Sequence, residues 1–477
     1  MFDQRQLLHT HLRRDFLRRS LAGMGTMALA ELLAQSGHAA EAADPMLPRK
    51  PHYAPKAKNV IFLFQEGAPS QMDLFDPKPA LEKWHGQSLP PSMTKDLKLA
   101  FIKPTAKVLA SPRKFAPCGQ SGMMLSDLLP HTSKHADDIC LIRSMHSEAF
   151  NHHPGQLLLF SGHMTGGRPS MGSWVTYGLG SESRNLPAFV ALQSGPGTSA
   201  GSDLWTNGFL PSLYQGTVLR SSGDPILYLS TPQGFSEEAQ RARLDAIRDM
   251  NTEHLQRTGD AEIASRIHSY ELAYRMQSAG PELTDLKSEK PETLEAYGIN
   301  EKESKSYGTN LLLARRLVER GVRFVLCMHS GWDHHSGING NLPKLCQQTD
   351  KPTAALLADL KQRGLLNDTL VVWGGEFGRT PMSELRRPEE AGNAGRDHHP
   401  NGFSIWMAGA GVKTGQVIGE TDELGLNIVR DRVDIHDLQA TILHLLGMEH
   451  TKLTYRHMGR DFRLTDVHGH VVKQICA

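Results

Sequence analysis

The chain has 477 residues, of which 39% are hydrophobic, and its 52 Lys and Arg balance 51 Asp and Glu to a formal charge of +1. This composition excludes a disordered chain, and it lacks the strongly basic character of a nucleic-acid binder. Five cysteines are too few for a disulfide framework, and no C-x-x-C pair suggests a zinc ribbon. The 24 histidines are the unusual feature.

The first residues carry the pattern of an export signal. Arg13 and Arg14 are followed by a mild apolar run at 21–33 and by the small-x-small site at 40–42. This order predicts a twin-arginine signal peptide over 1–42 and a periplasmic or extracellular mature protein. An amphipathic helix with two chance arginines is the alternative. The run contains Glu31 and is shorter than a span of roughly 20 residues, so we expect no transmembrane anchor after cleavage.

The mature chain alternates short apolar runs with segments of helical period, which predicts a doubly wound α/β fold with a mostly parallel sheet. We expect one domain over 43–477, with a helical insertion near 236–279. The predicted strands are Asn59–Phe64, Ile139–Ile142, Ala188–Leu192, Arg323–Met328, Thr369–Trp373 and Phe403–Met407. The predicted helices are Asn310–Glu319, Lys351–Gln362 and His436–Leu446.

Acidic and imidazole side chains flank five of these strands. Ligands of open α/β sheets bind beyond the carboxyl ends of the strands, so these side chains are candidates for one site. Imidazole and carboxylate together suit zinc or manganese, whereas carboxylate alone suits calcium, and the sequence does not distinguish these metals. The candidate metal ligands are Glu66, Asp73, Asp333, His335, Glu376, Asp397, His398 and His399.

Structural explanations compete with this interpretation. An acid in a Gly-rich loop is often a turn or capping residue, which applies most to Asp73 and Glu66. Neighbouring histidines point in different directions, so only one of each pair need be a ligand. His334 is therefore an alternative to His335.

Several segments resemble the alkaline phosphatase/sulfatase superfamily. KNVIFLFQEG (58–67) is similar to its first strand, with Glu66 at the first acidic metal position. HHPGQLLLFSGH (152–163) is similar to the sulfatase signature, and Thr369–Arg379 resembles a strand that ends at an acidic ligand. The resemblance implies metal binding by Asp333, His335 and Glu376, with a final histidine at His398 or His399.

The chain is further identified as a member of a sulfatase-like family of twin-arginine-exported bacterial proteins. The landmarks are GAPSQMDLFDPKP (67–79), NHHPGQLLLFSG (151–162), HSGWDHH (329–335), EFGRTP (376–381) and GRDHHPNGFSIWMAGAGVKTG (395–415). His152 occupies the position of the sulfatase nucleophile, and Gln156 replaces the signature arginine. His152 is therefore either a covalent nucleophile or a further metal ligand, and we favour the ligand.

These observations predict a metal-dependent hydrolase of sulfate or phosphate esters, with a small-molecule or glycan substrate. His152 and His153 would lie at the reacting group, and Arg379 or Arg143 would neutralise the ester oxyanion. The alternative is a catalytically inactive hydrolase fold that binds sulfated or phosphorylated glycans or a partner protein.

Overall fold

A nine-stranded sheet forms the centre of the computed structural model, which describes residues 45–94, 99–220, 234, 236–385 and 392–477. The main path of the sheet runs in the order Gln416–Ile418, Ile139–His146, Phe403–Gly409, Thr369–Gly374, Asn59–Glu66, Phe324–Ser330, Phe189–Ser194 and Thr217–Leu219. The ninth strand, Val433–Asp434, pairs with Ile139–His146. All pairs are parallel except the two made by Phe403–Gly409.

Helices cover both faces of this sheet because alternate side chains of its central strand point in opposite directions. Phe62 and Phe64 contact Phe160 of the helix His152–Ser161, each with ring centroids 5.0 Å apart. Ile61 and Leu63 belong to the core cluster that includes apolar residues of helices Lys305–Glu319 and Ile338–Gln362. The predicted doubly wound, mostly parallel α/β class is confirmed.

The predicted strands are confirmed, and most extend beyond their predicted ends by up to four residues. Helix 351–362 begins much earlier than expected, at Ile338, and contains Pro343 and Pro352. The remaining helices are Gln71–Leu74, Leu81–Trp84, Pro91–Thr94, Met171–Leu179, Glu237–Thr258, Ala261–Thr284, Pro291–Ala296 and Ile435–Leu445.

Four two-stranded sheets accompany the central one among the described residues. They are Phe115–Cys118 with Met123–Ser126, Gly378–Glu384 with Gly395–His399, Glu420–Thr421 with Ile428–Arg430, and Tyr455–His457 with Arg460–Phe462. The second of these lies directly after the strand Thr369–Gly374 in the chain and supplies part of the candidate site.

The residues from Pro48 to Ala477 that the structure describes belong to one compact unit. The predicted signal peptide, 1–42, lies outside the described residues and stays a prediction. The predicted insertion at 236–279 coincides with helices Glu237–Thr258 and Ala261–Thr284, and the helix Glu237–Thr258 buries none of its residues. No described helix combines the length and the apolar character that crossing a lipid bilayer requires.

Candidate metal centre

Four side chains converge beyond the carboxyl ends of the central strands. His152 begins the helix His152–Ser161, Asp333 and His335 follow the strand Phe324–Ser330, and His398 lies in the strand Gly395–His399. One ligand atom from each lies within 4.8 Å of the others. Asp333 Oδ1 is 2.8 Å from His335 Nε2, 3.1 Å from His152 Nε2 and 3.6 Å from His398 Nε2. We call these four residues the metal cluster.

An acceptor behind each imidazole fixes its direction. Each of the three Nδ1 atoms faces an oxygen that can only accept a hydrogen bond, so in the neutral imidazole, the form that binds a metal, Nδ1–H is the donor and Nε2 carries the lone pair. The pairs are His335 with Glu384 Oε2 at 2.5 Å, His398 with the Phe150 carbonyl at 2.6 Å, and His152 with Glu376 Oε1 at 2.6 Å. This is the arrangement found around histidines that bind metals.

The converging Nε2 atoms lie near one another and near Asp333 Oδ1, which is itself an acceptor. His335 Nε2 and His398 Nε2 lie 3.0 Å apart, and two lone pairs cannot hydrogen-bond each other without a shared proton or cation. His152 Nε2 makes no hydrogen bond of acceptable geometry. Three imidazoles and one carboxylate form a donor set that fits a four-coordinate zinc ion or a related transition metal better than calcium.

The carboxylate of the cluster and the neighbouring Glu376 favour positive charge at this site. Burial opposes ionisation of Asp333, but the three imidazoles and the Arg379 guanidinium outweigh it and hold the pKa of Asp333 far below its usual range. Burial also opposes the charge on His152, yet Asp333 and Glu376 raise the pKa of His152 to about 9. Burial lowers the pKa of His398. The cluster therefore presents an ionised carboxylate around which cationic groups are stabilised.

A glycine allows the loop of Asp333 to approach the first strand. Gly67 follows Glu66 with φ +107°, and a Cβ there would lie 2.4 Å from the backbone nitrogen of Asp333. The Trp332 N–H donates to the Glu66 carbonyl at 3.1 Å. Only glycine combines this backbone conformation with this contact, so Gly67 fixes where Asp333 is placed.

A second acidic group lies beside the metal cluster and shares His152 with it. Ligand atoms of Glu66, His152 and Glu376 lie within 4.8 Å of one another. Gln156 Nε2 donates to Glu66 Oε1 at 3.0 Å and to Glu376 Oε1 at 3.3 Å. Burial, and then the charge of Glu376, raise the pKa of Glu66 to about 7. Gln156, which stands at the position of the signature arginine, therefore bridges the carboxyl groups of Glu66 and Glu376.

Arg379 lies behind Asp333, fully buried. Its guanidinium donates to Asp333 and to the carbonyls of Gly67, Ala68 and Arg396. Because the guanidinium already donates to four acceptors of the protein, Arg379 is better placed to hold Asp333 in position than to contact an ester.

Asp397 lies next to the metal cluster, with ligand atoms of His335, Glu384 and Asp397 within 4.8 Å of one another. Its Oδ2 accepts the backbone N–H groups of Ala100, Phe101 and Ile102, at 2.9, 2.9 and 3.3 Å. The carboxylate therefore anchors this segment beside the site.

Three other candidate residues lie outside these groups. Asp73 is buried and bonded to Arg396 Nε at 2.9 Å and to two serine hydroxyls. His399 is buried away from the cluster, and burial lowers its pKa to about 4. His153 is exposed, and its Nδ1 lies 3.0 Å from the Ser199 carbonyl. In the pairs His152–His153 and His398–His399, only the first histidine faces the cluster, because side chains that are adjacent in the chain point in different directions.

Glu384 is the residue near the cluster that sequence reasoning missed. It ends the strand Gly378–Glu384, where its carboxylate reaches His335. The segment PMSEL gives no sequence signal, because one acid after a short polar run is typical of an exposed turn.

The metal cluster opens into a cavity of about 870 Å³. All four cluster residues line it, and 41% of the Asp333 side chain is exposed. The other lining residues are Phe101, Ile102, Lys103, Thr105, Ala106, Lys107, Asn151, Ser383, Glu384 and Leu385. A small molecule can therefore reach the cluster from solvent.

Solved structures with partial similarity include several enzymes. The lipoteichoic acid synthase LtaP from Listeria monocytogenes is 9% identical, with 87% of this chain and 76% of that chain covered and a TM-score of 0.36. The PsFucS1 sulfatase from Pseudoalteromonas sp. is 14% identical over 90% and 72%, with a TM-score of 0.34. The alkaline phosphatase from the Antarctic bacterium TAB5 is 11% identical over 76% and 94%, with a TM-score of 0.30.

No curated protein matches the chain significantly. A family model described as "Protein of unknown function (DUF1501)" matches residues 57–476, which is most of the sequence and includes the whole metal cluster. The chain belongs to this DUF1501 family.

Proposed function

We propose that this protein is a metal-dependent hydrolase of sulfate or phosphate esters that acts outside the cytoplasm. The observation that carries the proposal is the metal cluster, in which three imidazole Nε2 atoms and an ionised carboxylate converge in the lining of an open cavity. Asp333, His335 and His398 are also positions to which the superfamily resemblance assigns metal ligands.

Some residues of the site would bind the metal ion, and others would orient these ligands. His152, Asp333, His335 and His398 would hold the metal, which supplies Lewis acidity toward an ester oxygen when bound. Glu376 orients His152 through the 2.6 Å hydrogen bond, and this leaves its Nε2 directed into the cluster. This geometry favours His152 as a ligand over His152 as a covalent nucleophile.

Metal analysis of the purified protein tests the centre. We expect about one divalent transition-metal ion per chain, and loss of most of it in His335→Gln and His398→Gln. His334→Gln is the matched control, because His334 is equally buried but does not belong to the metal cluster. A wild-type protein without metal, or equal loss in the control, would contradict the proposal.

Turnover is tested separately on the metal-loaded protein. We expect hydrolysis of aryl sulfates, phosphomonoesters or phosphodiesters, and its loss in His335→Gln. Bound metal without turnover of any of these esters, together with saturable binding of a sulfated glycan, would favour the inactive binding module instead.

The extracytoplasmic location rests on the twin arginines and the site at 40–42. Expression in a bacterium with a functional twin-arginine pathway should place the protein in the periplasm, cleaved near residue 42. Replacement of Arg13 and Arg14 by Lys should retain it in the cytoplasm, whereas unchanged export would contradict this location.

A further inference from the structure

One segment outside the metal cluster contributes much of the lining of the cavity. Residues 100–107, which we call the 100–107 segment, contribute six of the residues that line the cavity. Asp397 anchors its start through three backbone N–H groups, and the Ser383 N–H donates to the Lys107 carbonyl at 2.6 Å. Both ends of the segment are thus fixed to the hairpin that carries His398.

Phe101 places an aromatic ring directly beside two residues of the metal cluster. Its centroid lies 5.4 Å from that of His335 and 5.3 Å from that of His398, both edge-on. The residue is nonetheless 62% exposed. A large apolar side chain held at this place, and still open to the cavity, offers a surface on which a ring can pack.

Two lysines lie on the same segment. Lys103 and Lys107 are exposed and line the cavity, and among the described residues neither takes part in an ion pair. Both ammonium groups are therefore available to an anion in the cavity. Because one anionic ester group would lie at the metal cluster, these lysines suit a second anionic group on the same molecule.

We propose that the 100–107 segment is a substrate-recognition element, and that the substrate is a ring compound, such as a sugar, with at least one anionic group besides the reacting ester. Phe101 contacts the ring, and Lys103 and Lys107 bind the second anion. This inference rests on the proposed function for the position of the reacting ester, and it narrows the substrate to a multiply charged sugar ester.

Calorimetric binding to the zinc-loaded protein tests the lysines with matched ligand pairs. The pairs are glucose 6-phosphate with glucose 1,6-bisphosphate, and glucose 6-sulfate with glucose 3,6-disulfate. We expect the doubly charged member of at least one pair to bind roughly threefold to tenfold more tightly, as two exposed charges allow. Lys103→Ala/Lys107→Ala should abolish this preference, and high salt should weaken it because the lysines are exposed.

Matched variants distinguish an effect of these two lysines from an effect of the net charge of the protein. Lys134→Ala/Lys413→Ala removes two exposed lysines outside the cavity and should keep the preference, as should Lys103→Arg/Lys107→Arg. Equal affinity for both members of each pair in the wild type, or an unchanged preference in Lys103→Ala/Lys107→Ala, would overturn the role of the lysines.

Phe101→Ala tests the ring contact. Affinity for glucose 6-phosphate should fall roughly threefold to tenfold, the size of one aromatic contact, while affinity for inorganic phosphate stays the same. Phe101→Trp should restore the affinity. An equal fall for both ligands, or no fall for either, would overturn the contact.

The outcomes also separate this inference from the proposed function. A protein that binds metal and hydrolyses singly charged esters without preference contradicts the inference alone. A protein that binds no metal and hydrolyses nothing, but prefers the doubly charged ligands through Lys103 and Lys107, contradicts the proposed function and retains the recognition element. No binding of any ligand to the metal-loaded protein contradicts the inference.

Discussion

Each imidazole of the metal cluster is directed by an acceptor that lies behind it. Asp333, His335 and His398 are candidate ligands from the sequence alone, because carboxylate and imidazole side chains flank predicted strands. Their orientation depends on Glu384 and on the Phe150 carbonyl, which are distant in the chain and carry no sequence signal. The sequence could predict which residue types surround the site. It could not predict the hydrogen-bond acceptors that hold each Nδ1–H and so direct Nε2 into the cluster.

Glu384→Gln should weaken metal binding without removing a ligand. The amide can still accept a hydrogen bond from His335 Nδ1, but it lacks the negative charge that makes the imidazole a better donor to the metal. Substitutions of this kind lower metal affinity roughly 10–100-fold, which competition with a chromophoric zinc chelator measures. The exposed Glu423→Gln serves as control, and equal affinities in the two variants would refute a supporting role for Glu384.

The elements around the cluster depend on close backbone contacts that their own sequences do not reveal. The strand Gly395–His399 pairs with Gly378–Glu384 in a register that shifts between Arg396 and His398. This irregularity decides that His398, and not His399, faces the cluster. The helix Ile338–Gln362 was predicted only from residue 351, because its two prolines are typical of a helix boundary.

Gly67→Ala should disturb both stability and metal binding. An alanine at position 67 would lose roughly 1–2 kcal/mol of stability because the backbone there has a positive φ. The alanine Cβ would also lie only 2.4 Å from the backbone nitrogen of Asp333. We expect a further loss of roughly 1–3 kcal/mol in the free energy of unfolding, as for other overpacked sites. Urea unfolding and zinc titration measure the two effects.

Gly122→Ala is the matched control for this substitution. Gly122 has φ +66°, and a Cβ there would meet nothing within 4 Å. Its variant should therefore show the conformational cost alone and bind metal normally. If both variants lose equal stability and keep equal metal affinity, the close approach to Asp333 does not position the site.

Across the whole molecule, the sheet brings residues from distant parts of the sequence to one edge. Its register places Glu66 beside Ser330, and Phe64 beside Gly374, so the loops that carry Asp333 and Glu376 leave the sheet together. Several histidines at this edge are buried. Because a buried neutral imidazole resists protonation, these histidines should make the folded protein less stable in acid.

His329 should make the metal-free protein less stable as the pH falls from 7.5 to 5. Its ring nitrogens lie 2.8 Å from Ser194 Oγ and 3.0 Å from Gln348 Oε1, and burial lowers its pKa to about 4. The unfolded chain takes up a proton near pH 6.5, so the contribution of neutral His329 is complete above that pH and is lost as the pH falls toward 4. The loss at pH 5 is about 2 kcal/mol.

Urea unfolding of wild type and His329→Gln at the two pH values measures this contribution. The variant should lose about 2 kcal/mol less than the wild type between pH 7.5 and pH 5. The exposed His254→Gln should follow the wild type. Identical losses in all three proteins would show that His329 does not contribute to the acid sensitivity.

The sequence by itself determined the α/β class, the order of the strands in the chain and the group of residues from which the metal cluster is drawn. It could do so because apolar runs identify buried strands and because the carboxyl ends of parallel strands share one edge. Only the tertiary structure decided which member of each histidine pair faces the cluster and that Asp73 is neutralised by Arg396. It also placed Phe101 and two lysines in the lining of the cavity. These outcomes depend on loop conformation, on a register shift and on partners up to 323 positions away, and local sequence patterns carry no information about such contacts.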